Sequence, residues 1–195
     1  MTEVFHHSLW PGLLLWVALY VSDYFFTIAC ARMYRAQDKI VFEGSFEITP
    51  AFQNDVNALR LVSPRFLLAL GLSVALLSTL WWLTRQPPFW TDGYVFALGA
   101  LILLELTVHV RHLRNWFLFR TAFGPDGVAG RLEYPRGVML RMSAFEFLVF
   151  AGLFSVLFLL TASWFMLGGV TTCLVTAWKH FRLARKHAAS RAPAA

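Results

Sequence analysis

Charge is what this chain has least of. Only 14% of its 195 residues are charged, against 58% that are hydrophobic. A water-soluble globular chain carries about 25% charged residues, so the composition excludes an ordinary soluble domain. It describes a polytopic membrane protein, one bundle with no room for a second soluble domain. Cysteine is nearly absent too. Cys30 and Cys173 both lie inside apolar runs, which suits packing and excludes a disulfide framework or a CxxC metal clip. The first residues, MTEVFHHSLWPG, contain no Lys or Arg, so the basic n-region of a signal peptide is missing and the first apolar segment is read as a retained span. Internal repeats and low-complexity blocks are missing as well.

What is present is aromatic and apolar, with 19 Phe and 8 Trp. The net charge of +6 comes from basic residues grouped in short segments between apolar runs. Membrane orientation explains that grouping, and no nucleic-acid partner is expected. The expected fold is an all-α transmembrane bundle over residues 1–187, with spans at about 9–31, 65–83, 91–113, 142–161 and 164–181, and a disordered tail at 188–195.

Several local signals set these bounds. Thr49-Pro50 and Ser63-Pro64 each read as an N-cap followed by Pro at the first helical position. Between them Phe52, Val56 and Leu59 fall at i, i+4, i+7, which predicts a short amphipathic helix on the membrane surface showing Asn54, Asn57 and Arg60 outward. TRQPPFWTDG and GPDGVAG are turns, and RLEYPRG is short and extended. RNWFLFR at 114–120 reads as an interfacial anchor, with Arg114 and Arg120 snorkelling.

The stretch from Met142 to Trp178 runs 37 residues with one charge, Glu146. It is one overlong helix or two spans joined by a minimal turn. Lys and Arg arbitrate. Residues 1–10 carry none and the 84–92 turn carries one, Arg85. Segments 32–65, 111–141 and the tail from 179 carry five, six and five. Five spans put every basic-rich segment on one side, and four do not. Five spans are therefore expected, with the turn near Ala162-Ser163, the N-terminus outside and the C-terminus in the cytoplasm of a bacterial inner membrane. Four spans with a bent last helix is the alternative. Gly168-Gly169 would let the last helix pack closely on a neighbour.

The chemistry sits in ELTVHVRHLRN. Glu105, His109 and His112 share an arc of about 60° on a helix. Topology brings Asp23 (with Thr27 one turn on) and Glu146 to the same depth, which predicts an inner-leaflet polar centre of Asp23, Thr27, Glu105, His109, His112 and Glu146. Arg111, Arg114, Arg141 and Lys179 would form the inner basic face, with Arg111 and Arg114 pointing away from the acid–imidazole arc. Glu43 and Glu47 are read as a solvated loop, His6-His7 as a solvated end. Ionisable groups in hydrocarbon are expensive and are functional hypotheses by default.

Three readings follow. The first is a structural charge network in a small accessory or interaction subunit, whose partners would be the lipid bilayer, another membrane protein or further copies of itself. The second is a proton- or cation-linked transporter or channel-like protein, since carboxylate plus imidazole is relay chemistry. The third is a membrane metalloprotein or intramembrane enzyme, with Glu105, His109 and His112 holding a divalent metal and Asp23 or Glu146 completing four ligands. A haem held between His109 and His180 has little else behind it. No HExxH helix, nucleophile elbow or serine dyad is present, so a non-enzymatic role is favoured. The segments DYFFT, FEITPAFQNDVNALR, ELTVHVRHLRNWFLFR, GRLEYPRG and LGGVTTCLVTAWKHFRLARK together resemble small multipass bacterial membrane proteins with no assigned activity. That resemblance covers most of the chain and implies no cofactor, ligand or reaction.

Overall fold

The computed structural model describes residues 3–90, 92–122, 127 and 129–189. In chain order the elements are α1 (Glu3–His7), α2 (Trp10–Arg35), β1 (Ile40–Phe42), α3 (Gln53–Asn57), α4 (Pro64–Leu83), α5 (Gly93–Thr121), β2 (Leu132–Tyr134), α6 (Arg136–Thr161) and α7 (Trp164–Ala189). The chain is an all-α bundle, and α2, α4, α5 and α6 are long and apolar enough to cross a membrane. Their outward faces are apolar, as at Leu68 and Leu72 on α4 and Leu159 and Leu160 on α6. Such a surface suits lipid and not water.

Helix α7 is less apolar but has the same reach. The turn is Ala162-Ser163, as the sequence predicts, and Ala162 takes the left-handed conformation (φ 49°) that ends α6. The chain then returns along α6. Trp164 meets Trp90 at one end of the bundle, and His187 meets Glu43 at the other. Between those ends α7 crosses α5 closely enough that a Cβ on Gly168 would lie 2.1 Å from the Phe96 carbonyl oxygen. Gly99 stands equally close to Phe165. Close backbone approach through Gly is how helices pack where no hydrophobic effect drives them together.

Helix α5 is the central element. Helices α2 and α4 pack on one side of it and α7 on another, with α6 packed on α7. The α2–α5 seam buries Leu13, Trp16, Tyr94 and Leu98. The α5–α6–α7 seam buries Leu103, Phe147, Val170 and Cys173. Both cysteines are free and buried. Trp16 Nε1 donates to Ser73 Oγ (2.9 Å) and ties α2 to α4.

Several expectations are corrected. The third span extends well past residue 113, because RNWFLFR continues α5 through Thr121 and buries Asn115 and Phe119. Its predicted start at residue 91 and most of GPDGVAG lie outside the described residues. The fourth and fifth helices extend beyond 142–161 and 164–181, and residues 188–189, expected in the disordered tail, are helical; 190–195 lie outside the described residues. Ser63 is an N-cap, its Oγ accepting from Phe66 N. Thr49 is not, since α3 begins only at Gln53. Helix α3 packs on the bundle: Val56, Phe52 and Leu59 sit against Tyr24, Ile28 and Phe66, while Asn54, Asn57 and Arg60 face outward as the spacing predicts. Its buried Asp55 accepts from Ser63 Oγ (2.6 Å) and Arg60 Nη1 (3.1 Å).

RLEYPRG contributes β2, which pairs in parallel with β1, Ile40 opposite Leu132 and Phe42 opposite Tyr134. A parallel pair needs a long crossover, here supplied by α3, α4 and α5. Arg136 N donates to Glu43 Oε2 (2.9 Å) beside it. The pair caps the basic end of the bundle and leads into the segment 43–52, which folds over the space between α2 and α6.

A buried chamber with an acid–imidazole wall and a guanidinium wall

That space is a cavity of about 650 Å³. Helix α5 forms its back. Asp23 and Thr27 enter from α2, Ser143 and Glu146 from α6, Lys179 and His180 from α7, and Glu47 from the covering segment. Aromatic rings, among them Tyr20, Tyr24, Phe46 and Phe66, complete the lining.

One wall is acid and imidazole. Asp23 Oδ1 lies 2.9 Å from His112 Nε2, and Thr27 Oγ1 lies 3.1 Å from the same nitrogen. His112 Nδ1 is buried without a partner. Glu105 is 8% exposed, and its Oε2 also has no partner. A ring nitrogen of His109 and carboxylate oxygens of Asp23 and Glu105 all lie within 4.8 Å of one another. Two carboxylates this close in a low-dielectric interior repel unless a cation or a proton sits between them.

His109 stands just behind this wall. Its Nδ1 is 2.7 Å from the Glu105 backbone oxygen, which can only accept, so Nδ1 carries the hydrogen. Its Nε2 is 2.8 Å from Ser22 Oγ, and that hydroxyl also lies 2.9 Å from the Leu19 carbonyl oxygen. One hydroxyl hydrogen cannot serve both. Ser22 can therefore turn its hydrogen to Leu19 and release the Nε2 lone pair, leaving no donor stranded. A ring fixed by Nδ1–H to a backbone carbonyl with Nε2 available is the usual posture of a metal-ligating histidine.

The other wall is basic. Arg111 Nε donates to Glu146 Oε2 (3.0 Å), and Arg114 donates to the other oxygen of the same carboxylate. The Arg111 guanidinium also lies over the Phe147 ring at 4.8 Å. Its Nη2 is buried with no partner. Arg114 Nη2 donates to Asn115 Oδ1 (3.2 Å), and His180 Nδ1 meets Ser143 Oγ at 3.0 Å.

The sequence-derived centre is thus regrouped. Asp23, Thr27, Glu105, His112 and Glu146 line one chamber, with His109 directly behind. The tight triad contains Asp23 in place of His112, which serves as Asp23's partner. Thr27 meets His112, although one-turn spacing suggested Asp23. Arg111 and Arg114 turn into the chamber toward Glu146, whereas Arg141 is exposed and outside it. Lys179 lies at the rim. His109 and His180 are held against different helices, α2 and α6, so they do not form the facing pair a haem needs. Glu47 is not a solvated loop residue: it lines the chamber, with Oε1 accepting from Thr49 N (2.7 Å). Burial pushes its carboxyl above the usual range, and that hydrogen bond opposes the shift. His6 is half-buried and pairs with Asp92 at 3.4 Å. Ser22, Ser143 and His180 complete the polar contacts; a serine within an apolar span gives no signal in the sequence of the histidine it meets on another helix.

Fold and site together define a helical membrane protein with a charged chamber buried in one half of its bundle. Compared with known proteins, the chain matches no family model, no curated protein and no solved structure.

Proposed function

We propose that this chain is a small membrane protein that holds a cation at the acid–imidazole wall of its chamber, a divalent transition metal on Asp23, Glu105 and His109. The observation that carries the reading is the triad within 4.8 Å, with a buried Glu105 oxygen that has no other partner. Zinc-type ions sit about 2.0–2.2 Å from O and N ligands, so ligand atoms about 3–4 Å apart enclose one. The triad needs a small closure to reach that spacing, and Ser22 can free His109 as described. His112, 2.9 Å from Asp23, would orient that carboxylate. A proton is the competing occupant, favoured by the closeness of the Asp23 carboxylate to the His112 imidazole. Metal analysis of detergent-purified protein after zinc or manganese loading separates them. About one ion per chain, lost in Glu105→Gln and in His109→Ala, supports the metal. No retained ion, with proton release on titration that disappears in Asp23→Asn, supports the relay.

The location belongs to the same reading. The proposed location is a bacterial inner membrane, and the Lys/Arg distribution supports the N-terminus outside and the chamber in the cytoplasmic half. An accessory subunit or homo-oligomer is tested on the same preparation, since it requires a stoichiometric second polypeptide or copy to co-purify.

A further inference from the structure

We infer that the chamber's guanidinium wall is a binding subsite for a phosphate group, borne by a ligand whose apolar part lies against the aromatic lining. The inference does not depend on the cation.

Three cations, Arg111, Arg114 and Lys179, line this wall against one paired carboxylate, Glu146. With Glu47 also facing it from the covering segment, the wall carries an excess of about one positive charge, which a phosphate would neutralise. Arg111 is already held in place. Glu146 fixes its Nε and Phe147 supports its face, while its Nη2 is buried without a hydrogen-bond partner. A buried guanidinium N–H without an acceptor is costly, and a fixed planar fork is suited to phosphate oxygens. The unfilled volume, about 650 Å³, exceeds what a phosphate alone occupies. Its remaining walls are rings such as Tyr24, Phe46 and Phe66. Helices α2 and α6 frame the chamber without packing extensively on each other, and the covering segment closes the space between them.

The charged and titratable groups facing Arg111 from other elements are Glu146 and His180, Asp23 from α2 and Glu47 from the covering segment. Glu47 is the competitor. It is the carboxylate lining the chamber from outside the helices, and it would yield to a phosphate. Glu47→Gln should therefore tighten phosphate binding, whereas a purely structural role for the wall predicts no change.

The test uses the full chain in maltoside micelles with EDTA present. One arm adds phosphatidic acid, one adds diacylglycerol with the same chains, and one adds inorganic phosphate to plain micelles. Phosphatidic acid should bind saturably and raise the Tm, while diacylglycerol does neither. Lys179→Gln, and Arg111→Gln made together with Glu146→Gln so that no buried charge is orphaned, should each weaken binding at least tenfold. Glu47→Gln should strengthen it several-fold. Competition by inorganic phosphate supports the subsite with a soluble source, and lipid binding alone supports a headgroup. The inference is overturned if neither phosphate source binds, or if phosphatidic acid binds equally to wild type and the basic-wall variants. Retained phosphate binding in Glu105→Gln separates this outcome from the fate of the metal reading.

Discussion

Glu105 and Asp23 show how one wall can carry opposite mutational signs. Glu105 Oε2 is buried without a partner beside a second carboxylate, while Asp23 faces His112 at 2.9 Å. In metal-free protein, Glu105→Gln removes like-charge repulsion and supplies an N–H toward Asp23. It should stabilise the fold by about 1 kcal/mol. Asp23→Asn removes a carboxylate 2.9 Å from a buried imidazole that keeps its Thr27 contact, and should cost about 1 kcal/mol. Thermal unfolding in EDTA checks both; equal destabilisation by the two would show that Glu105 has a favourable partner in the apo protein. Glu47 gives a pH signature. Burial raises its carboxyl above the ordinary 4.5, so the folded chain binds that proton more tightly than the unfolded one. Its contribution is fully present below the unfolded value and is lost as pH rises through the folded value. Wild type should thus lose stability relative to Glu47→Gln between acid and neutral pH, and matched melting curves at several pH values would reveal a constant gap if it does not.

At the level of elements, the bundle depends on where backbones meet. A Cβ on Gly168 would stand 2.1 Å from the Phe96 oxygen, while one on Gly71 or Gly152 meets nothing within 4 Å. Gly168→Ala should therefore cost about 1–3 kcal/mol or shift α7 against α5. Gly71→Ala and Gly152→Ala should gain up to about 1 kcal/mol of helix propensity. Unfolding of the three variants in one detergent makes the comparison direct. Ala162 is a non-glycine residue at φ 49°, where a Cβ is strained, so Ala162→Gly is expected to be neutral or stabilising at the α6–α7 turn. These elements also show what the sequence could reveal. Ser63-Pro64, the Ala162-Ser163 turn and Gly168-Gly169 were legible because capping chemistry, span length and small residues act locally. Thr49-Pro50 carried the same cap signal as Ser63-Pro64, yet α3 starts at Gln53, because the aromatic contacts of Phe52 and Val56 with α2 and α4 decide its position. The β1–β2 pair joins residues some ninety apart, which periodicity cannot foresee. At the site, one-helix spacing found Glu105, His109 and His112. It could not show that Asp23 would displace His112 from the triad, nor that Glu47 would fold inward, since both depend on how α2 and the covering segment close on α5.

For the molecule as a whole, the decisive quantity is the parity of its crossings. Helix α7 is less apolar than α2, α4, α5 and α6, yet it spans the bundle from Trp164 beside Trp90 to His187 beside Glu43. Its apolar part ends at Trp178, and Lys179, Arg182, Arg185 and Lys186 follow at the same end as β1 and β2. If α7 crosses the bilayer, Gln37 and Ala189 lie on one side, and Gln86 and Ser163 on the other. If α7 instead lay along the surface, Ala189 would share a side with Ser163. Single cysteines at these four positions, in a Cys30→Ala, Cys173→Ala background that removes both buried thiols, should label from outside in sealed cells at 86 and 163 and resist at 37 and 189. Permeabilised cells should label at all four. Labelling of 189 together with 163 in sealed cells would leave four crossings. Labelling of 37 and 189 alone would keep five crossings but invert the chain, moving the chamber, whose cover is the segment after β1, to the outer half of the membrane. The sign of the Lys/Arg bias makes the first pattern the expected one, because the segments around 32–65, 111–141 and the tail from 179 hold sixteen of the seventeen basic residues and, under five crossings, all face the same way.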